Sequence, residues 1–190
     1  LNKIGSDVPT CTNPEYFKDA FNAVQTLVNN NLLLAGHDIS AGGMIVTLLE
    51  MCFANTEGGI EIELDKFGKA DLVKILMAEN PGVIVQVADN NKTEFKKILD
   101  EAGVGYIKLG VPTDERLIQV KKDGAEYQFG IDYLRDVWYS TSYLLDRKQS
   151  FNGCAKARFE NYKMQPLEMV FNKDFTGTLA QFGLNPDRRT

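Results

Sequence analysis

Several kinds of site are excluded or disfavoured because the sequence scarcely contains the residues they need. His37 is the only histidine, so no site that requires two imidazoles can form, and a Ser or Cys nucleophile has one possible histidine partner. The three cysteines, Cys11, Cys52 and Cys154, are odd in number, far apart and without CxxC spacing. This pattern disfavours a disulfide framework and a cysteine zinc site, and it fits a reducing cytoplasm.

Long apolar runs and an excess of positive charge are also missing. No apolar run approaches the length of a membrane span, and no charged and then apolar leader opens the chain. The 21 Lys and Arg residues against 26 Asp and Glu residues leave a net charge of −5, so nucleic acid is a poor partner. Because the chain starts at Leu1 without an initiator Met, we expect a piece of a longer protein or a processed one.

The 190 residues, 44% of them hydrophobic, suffice for one globular domain with an extension. Alternating helical and strand periods predict an α+β domain with a mixed β-sheet and packed helices. Predicted helices cover residues 14–28, 42–54, 69–79, 93–102 and 133–147, and the first carries Phe17, Phe21, Val24 and Val28 on one face. Predicted strands cover residues 32–35, which fit a buried strand, 60–64, 83–87 and 106–111, followed by a hairpin of 117–120 with 127–129.

The last part of the chain has a weaker pattern. We predict a folded domain over residues 1–149 and an extension over residues 150–190. The extension contains too many apolar residues for a free disordered tail. We therefore expect an extended segment that packs against this domain or against a neighbouring one.

One turn combines the residue types of a binding site. The run GHDISAGG, residues 36–43, lies between the predicted strand and an amphipathic helix whose first N–H groups are unpaired. Such a helix start has a positive dipole end and binds anions. Gly42 and Gly43 would let a phosphate approach the backbone closely, and the Ser40 hydroxyl would donate to it. Asp38 is a hard oxygen ligand suited to Mg²⁺.

A purely structural interpretation of the same turn stays open. Ser40 would then cap the helix, the glycines would turn the chain, and His37 and Asp38 would satisfy each other. The spacing matches neither a full P-loop nor a GxGxxG motif. From the residue types and their spacing alone, both interpretations remain.

The sequence of this turn also resembles a known family. GHDISAGG, continued by TLLEMCFA at residues 47–54, resembles the "HDxSDGG…TLxEMxFA" stretch of the phosphoribosylformylglycinamidine synthases, the amidotransferases of purine biosynthesis. Residues 1–5, 81–87 and 134–142 are similar to the same family. The resemblance covers most of the chain up to residue 145 and is loose beyond it.

The resemblance implies the second aminoimidazole-ribonucleotide-synthetase-like C-terminal domain of a large, single-chain synthase, with a connector toward a glutaminase domain. Such synthases convert formylglycinamide ribonucleotide, ATP and glutamine to the amidine, ADP, phosphate and glutamate. By motif match, Asp38 would be a Mg²⁺ ligand, and Ser40, Gly42 and Gly43 would contact the phosphates of ATP or ADP. The partners would be the ATP-binding and glutaminase domains, and the fragment alone would be inactive.

The chain departs from the family pattern at Ala41, where the motif generally has Asp. Either Asp38 suffices with ligands from elsewhere, or metal binding is weakened. The alternative is a non-catalytic structural or interaction module of a multidomain protein. Outside the turn, we expect Trp138 to lie in the core and Cys154 to be an incidental thiol.

Overall fold

The computed structural model describes residues 10–164, residue 171 and residues 173–183. Its helices are α1 (Pro14–Asn29), α2 (Gly43–Phe53), α3 (Leu72–Met77), α4 (Lys92–Glu101), α5 (Ile131–Gln149) and α6 (Cys154–Glu160). Its strands are β1 (Leu33–Asp38), β2 (Gly59–Glu63), β3 (Val83–Val87), β4 (Gly110–Thr113), β5 (Leu117–Lys122) and β6 (Ala125–Gly130). Helices and strands alternate from α1 to β4, and two further strands and then two helices complete the chain order, which is compatible with an α+β domain.

The strands form two sheets. β1 and β3 pair antiparallel as a two-stranded sheet, and the other four lie in the order β4-β2-β5-β6. β2 and β5 run parallel, while β4 and β6 pair antiparallel at the two edges. A parallel pair needs a long crossover, which α3, β3, α4 and β4 provide here. The predicted α+β fold with a mixed sheet is confirmed.

The main core contains residues of α2 and of the four-stranded sheet. Leu48 of α2 and Ile62 and Ile118 of the sheet are fully buried in one apolar cluster. The apolar stripe predicted for α2 is confirmed, because all its members are buried: Ile45, Leu48, Leu49 and Cys52. A smaller cluster joins α1 to α4 through Ala23, Leu27 and Leu99.

The first strand differs from its prediction in length and in burial. β1 extends from Leu33 to Asp38, so residues 36–38 of the predicted turn belong to the strand. Leu34 is 62% exposed, which contradicts the prediction of a buried strand. The register of the pairing with β3 shifts between Leu33 and Ala35, so Leu34 lies at a bulge and has no partner on β3. Leu33 packs on the smaller cluster, and Leu34 does not.

Helix α1 buries a different face from the one that its apolar pattern suggests. We call this apolar set the α1 stripe; it consists of Phe17, Phe21, Val24 and Val28, of which Val24 is partly buried. The two phenylalanines and Val28 are 50%, 57% and 51% exposed. The buried residues are Ala23 and Leu27, which lie roughly a third of a turn away at about 100° per residue. An apolar stripe typically faces the core of a domain, and this one does not.

Two further elements are shorter or shifted. The helix predicted over residues 69–79 is confined to α3, because the Asp71 side chain accepts two N–H groups of the first turn and fixes the start. The strand predicted over residues 106–111 is β4 instead. At Gly110 a Cβ atom would lie 1.8 Å from the carbonyl oxygen of Glu61, so β4 approaches β2 at a residue without a side chain.

The extension contains a helix that packs on the domain. The ring of Phe159 in α6 stacks on Tyr139 and Tyr143 of α5, with centroids 6.0 and 4.7 Å apart. Arg158 hydrogen-bonds both carboxylate oxygens of Asp146. Residues 154–160 are therefore helical rather than extended, and they cover part of α5.

Three sequence predictions are not decided by these elements. Residues 1–5, which carry part of the family resemblance, lie outside the described residues, as does the segment 165–170. The domain boundary between residues 149 and 150 stays a prediction.

In the part of the chain that the structure describes, no helix is long and apolar enough to cross a membrane.

Candidate functional site

The turn between β1 and α2 is anchored at both ends by one buried side chain. Since β1 ends at Asp38 and α2 begins at Gly43, the turn itself is residues 39–42. The hydroxyl of the buried Thr47 lies 3.1 Å from the carbonyl oxygen of Asp38 and 3.2 Å from that of Gly43. A single threonine therefore holds the end of the strand against the start of the helix.

His37 is held through both nitrogens of its ring. Nδ1 lies 2.8 Å from the carbonyl oxygen of Asp38 and 3.4 Å from its carboxylate oxygen Oδ1. Nε2 lies 3.0 Å from Oε2 of Glu50. The other carboxylate oxygen of Glu50 accepts the indole N–H of Trp138 at 2.9 Å. His37 and Asp38 thus contact each other, as the structural interpretation predicts, and Glu50 links the turn to α5.

The carboxylate of Asp38 faces solvent, and its side chain is 73% exposed. An exposed carboxylate can bind a hard cation such as Mg²⁺, which takes about six oxygen ligands. Among the residues that the structure describes, no group of three or more His, Cys, Asp or Glu side chains is placed to hold a metal ion. Asp38 therefore offers one protein ligand, and the described residues do not by themselves form a complete Mg²⁺ site.

The start of α2 is bonded to a carboxylate from a distant part of the chain. Gly42 is the N-cap with φ +86°, and its N–H donates to Oε1 of Glu79 at 2.7 Å. The N–H of Gly43 donates to the carbonyl oxygen of Ser40 at 3.0 Å. Ser40 does not cap the helix with its side chain, so that part of the structural interpretation is wrong. The N–H group that the sequence offers to a phosphate is paired with Glu79.

Both glycines are also required by close packing within the protein. A Cβ atom at Gly42 would lie 2.4 Å from a methyl group of Val46. At Gly43, where φ is +72°, it would lie 2.6 Å from the carbonyl carbon of Met77 and 2.8 Å from the carbonyl oxygen of Leu76. The end of α3 therefore occupies the space beside the first residue of α2.

Removal of the Glu79 carboxylate tests its role as the cap of α2. We expect Glu79→Ala to lower the free energy of unfolding by about 1 kcal/mol, the usual effect of a lost helix cap. Glu79→Gln keeps an oxygen that can accept the Gly42 N–H, so it should retain most of the stability. Urea denaturation of the three proteins measures this difference. Equal stability of the alanine variant and the unmodified chain would contradict the cap.

A cleft of about 720 Å³ opens beside His37, between α2, α5 and α6. Its walls are formed by His37, Glu50, Phe53, Ala54, Thr56, Arg135, Trp138, Tyr139, Arg158 and Tyr162. Trp138 is 47% exposed, so the prediction that it lies in the core is wrong. Its ring centroid lies 5.2 Å from that of Phe53, which covers one part of the indole and leaves the rest to the cleft.

Tyr162, at the rim of this cleft, belongs to a network around Asp132. The hydroxyl of Tyr162 donates to Asp132 at 2.9 Å, and burial together with this bond raises the pKa of Tyr162 to about 12. Burial opposes the ionisation of Asp132, but hydrogen bonds from Lys163, Tyr162 and Arg116 outweigh it and hold the pKa of that carboxyl below its usual range. The network joins α5 to the segment that follows α6.

Two residues that position the turn were not identified from the sequence. Glu79 is 37 residues from Gly42, and no periodicity connects them. Glu50 could have been identified from its spacing. It lies on the same face of α2 as Gly43 and Thr47, because the three residues are separated by four and three positions, and that face is directed toward the turn.

The family model "AIR synthase related protein, C-terminal domain" matches residues 3–123. The chain is 35% identical over 166 residues to "Probable phosphoribosylformylglycinamidine synthase, chloroplastic/mitochondrial" of Arabidopsis thaliana, over 87% of this chain and 12% of that protein. It is 31% identical over 158 residues to the phosphoribosylformylglycinamidine synthase of Homo sapiens, over 81% of this chain and 12% of that protein. The chain thus spans about 12% of the length of these curated relatives.

Solved structures share the fold at lower identity. "T. maritima PurL complexed with ATP" matches with a TM-score of 0.58 at 16% identity, over 66% of this chain and 22% of that one. "T. maritima PurL complexed with FGAR" matches with a TM-score of 0.53 at 18% identity, over 62% of this chain and 20% of that one. These likenesses confirm the α+β architecture.

Proposed function

The chain belongs to the family of AIR synthase related proteins, C-terminal domain, and from that membership we propose that it is one domain of a phosphoribosylformylglycinamidine synthase. The observation that carries the proposal is its similarity to two such synthases, at 35% and 31% identity over more than four fifths of the chain. We assign residues 1–149 to the second C-terminal-type domain and residues 150–190 to a connector toward a glutaminase domain.

The proposed reaction belongs to the longer protein. It converts formylglycinamide ribonucleotide, with glutamine as the nitrogen donor and ATP, to formylglycinamidine ribonucleotide. The chain alone would be inactive, since its sequence contains no glycine-rich ATP loop and no glutaminase cysteine with a histidine partner. The cytoplasm stays our prediction for its location, although the name of the Arabidopsis relative assigns that protein to the chloroplast or mitochondrion.

We propose that the turn before α2 forms one wall of a nucleotide pocket in that synthase. Asp38 would supply one oxygen ligand to Mg²⁺, while Ser40, Gly42 and Gly43 would face the phosphates of ATP or ADP. The exposed carboxylate and the positive helix start support this role, and relatives of the same fold are complexed with ATP and ADP. For a phosphate to reach the Gly42 N–H, Glu79 must release it, and the other ligands must come from other domains.

Replacement of Asp38 in the full-length synthase tests this pocket. We expect Asp38→Ala to reduce the ATP and ADP that co-purify with the protein by at least half, because a metal ligand is lost. The nucleotide released by denaturation is quantified by chromatography. Asp100→Ala, which removes an exposed carboxylate on α4, is the matched control and should leave the content unchanged.

The alternative function is a non-catalytic packing module. The bond between Glu79 and Gly42 favours it, because the helix start is then satisfied within the domain. In that case Asp38→Ala leaves the nucleotide content at the level of the control variant. The same experiment therefore decides between the two functions.

A further inference from the structure

The residues that the structure describes cover only about half of the α1 stripe. Phe17, Phe21 and Val28 are each at least half exposed on one face of a 16-residue helix. We propose that the α1 stripe binds an amphipathic helix that belongs to the same polypeptide and lies outside these 190 residues. This inference rests on the proposed function, in which the chain is one domain of a longer synthase.

The spacing of the stripe indicates a helix as the occupant. Its four members are separated by four, three and four residues. This is the spacing of a seam at which two helices pack side chains of one into holes of the other. Two residues flank the seam on its solvent side, the positively charged Lys18 and the neutral Gln25. A second helix with acidic or neutral flanking residues would therefore not be repelled.

The size of the stripe indicates an occupant within the same polypeptide. A phenylalanine side chain buries about 150 to 250 Å² when fully covered, so the half-exposed stripe offers roughly 300 Å². Two copies that paired through it would bury about 600 Å² in total, well below the roughly 1,200 Å² of a stable interface between separate proteins. The charge of −5 on each copy also opposes self-association.

A tethered helix does not need so large an interface. Linkage within one polypeptide gives a binding partner an effective concentration of about millimolar, so a small apolar seam is sufficient. The chain covers about 12% of the length of its curated relatives, which leaves most of such a protein available to supply the helix.

Hydrogen–deuterium exchange compares α1 in this chain and in the full-length synthase. We expect exchange in α1 to be at least tenfold slower in the full-length protein. The β5–β6 hairpin, whose buried residues belong to the other apolar cluster, serves as the internal reference for overall stability. Equal exchange of α1 in both proteins, relative to that reference, would overturn the proposal.

A substitution on the stripe identifies the occupant. Phe21→Ser should raise the exchange of α1 in the full-length protein to the rate of the isolated chain, whose own melting temperature should not change. Val73→Ser, which removes an equally exposed apolar residue from α3, should leave α1 exchange unaltered. A concentration-dependent doubling of the molar mass of the isolated chain, abolished by Phe21→Ser, would assign the stripe to a second copy and overturn the proposal.

These outcomes are separate from the test of the nucleotide pocket. Loss of bound nucleotide in Asp38→Ala together with unprotected α1 would retain the proposed function and reject the docking helix. Protected α1 with unchanged nucleotide content would retain the docking helix within the longer protein and reject the pocket.

Discussion

Gly43→Ala is expected to lower the free energy of unfolding by about 3 to 4 kcal/mol, a large loss for the addition of one methyl group. Part of this comes from the backbone, because φ at Gly43 is +72° and a side chain there costs about 1 to 2 kcal/mol. The rest comes from the contact. The new methyl would lie 2.6 Å from the carbonyl carbon of Met77 and 2.8 Å from the carbonyl oxygen of Leu76, and backbone atoms cannot rotate away.

Gly124→Ala is the matched control for this substitution. Gly124 has φ +77°, close to the value at Gly43, but a Cβ atom there meets nothing within 4 Å. The control should therefore lose only the backbone contribution of about 1 to 2 kcal/mol. Urea denaturation of both variants at one temperature measures the difference. Equal losses would show that α3 yields to the methyl group and that the turn is less tightly packed than its geometry indicates.

Local periodicity was sufficient for the elements whose burial follows from their own residues. The stripe of Ile45, Leu48, Leu49 and Cys52 is buried because α2 packs on a sheet that is itself apolar. The β5–β6 hairpin was predicted from its turn, where Asp123 and Gly124 adopt positive φ values. In both cases the pattern that selects the element also determines which side faces the core.

Periodicity did not predict the buried residues correctly where an element carries more apolar residues than the rest of this domain covers. The face of α1 with Phe17 and Phe21 has the larger residues, yet the face with Ala23 packs on α4. Leu34 similarly belongs to an apolar run, but it lies at a bulge of β1, which among the described residues pairs with β3 alone. A pattern within one element reports apolar residues, and the neighbouring elements decide which of them become buried.

The candidate site was predictable in its position and in the contact of His37 with Asp38, but not in its other contacts. The glycines and Asp38 lie at a junction of strand and helix, as the sequence indicates. Glu79 reaches Gly42 only because α3 folds against the start of α2, which is a tertiary contact with no local signature. Trp138 shares its helical period with core residues, yet its indole N–H is bonded to Glu50 at the edge of the cleft.

A second large loss of stability is expected when Arg135 is replaced. Arg135 is a charged residue of α5 that is only 7% exposed. Its guanidinium carbon lies 3.8 Å from the ring centroid of Tyr162 and 4.7 Å from that of Tyr139. Nη1 donates to the carbonyl oxygen of Phe159 at 2.8 Å and to Asp136 at 3.1 Å. One side chain therefore connects α5 both to the last turn of α6 and to the segment that follows it.

Arg135→Leu places a large apolar side chain at this position and removes the cation and its hydrogen-bond donors. We expect a loss of about 2 to 3 kcal/mol, since a desolvated cation–π contact contributes about 2 kcal/mol and a hydrogen bond to a charged group adds to it. The variant should also become susceptible to proteolysis between residues 150 and 164, where the intact chain holds α6 against α5. Arg147→Leu removes an exposed arginine 5.6 Å from the ring of Tyr143 and should change stability by less than about 0.5 kcal/mol.

The melting temperature of Arg135→Leu and its susceptibility to proteolysis together test the predicted boundary between residues 149 and 150. If α6 is an integral part of the domain, the thermal transition shifts down and proteolysis of residues 150–164 accompanies the unfolding of α5. If these residues belong to a separate connector, proteolysis increases while the melting temperature of the domain stays unchanged. A variant that resists protease as well as the Arg147→Leu control would contradict the role of Arg135 in holding α6. The aromatic stacking of Phe159 on Tyr139 and Tyr143 would then be sufficient to hold the helix.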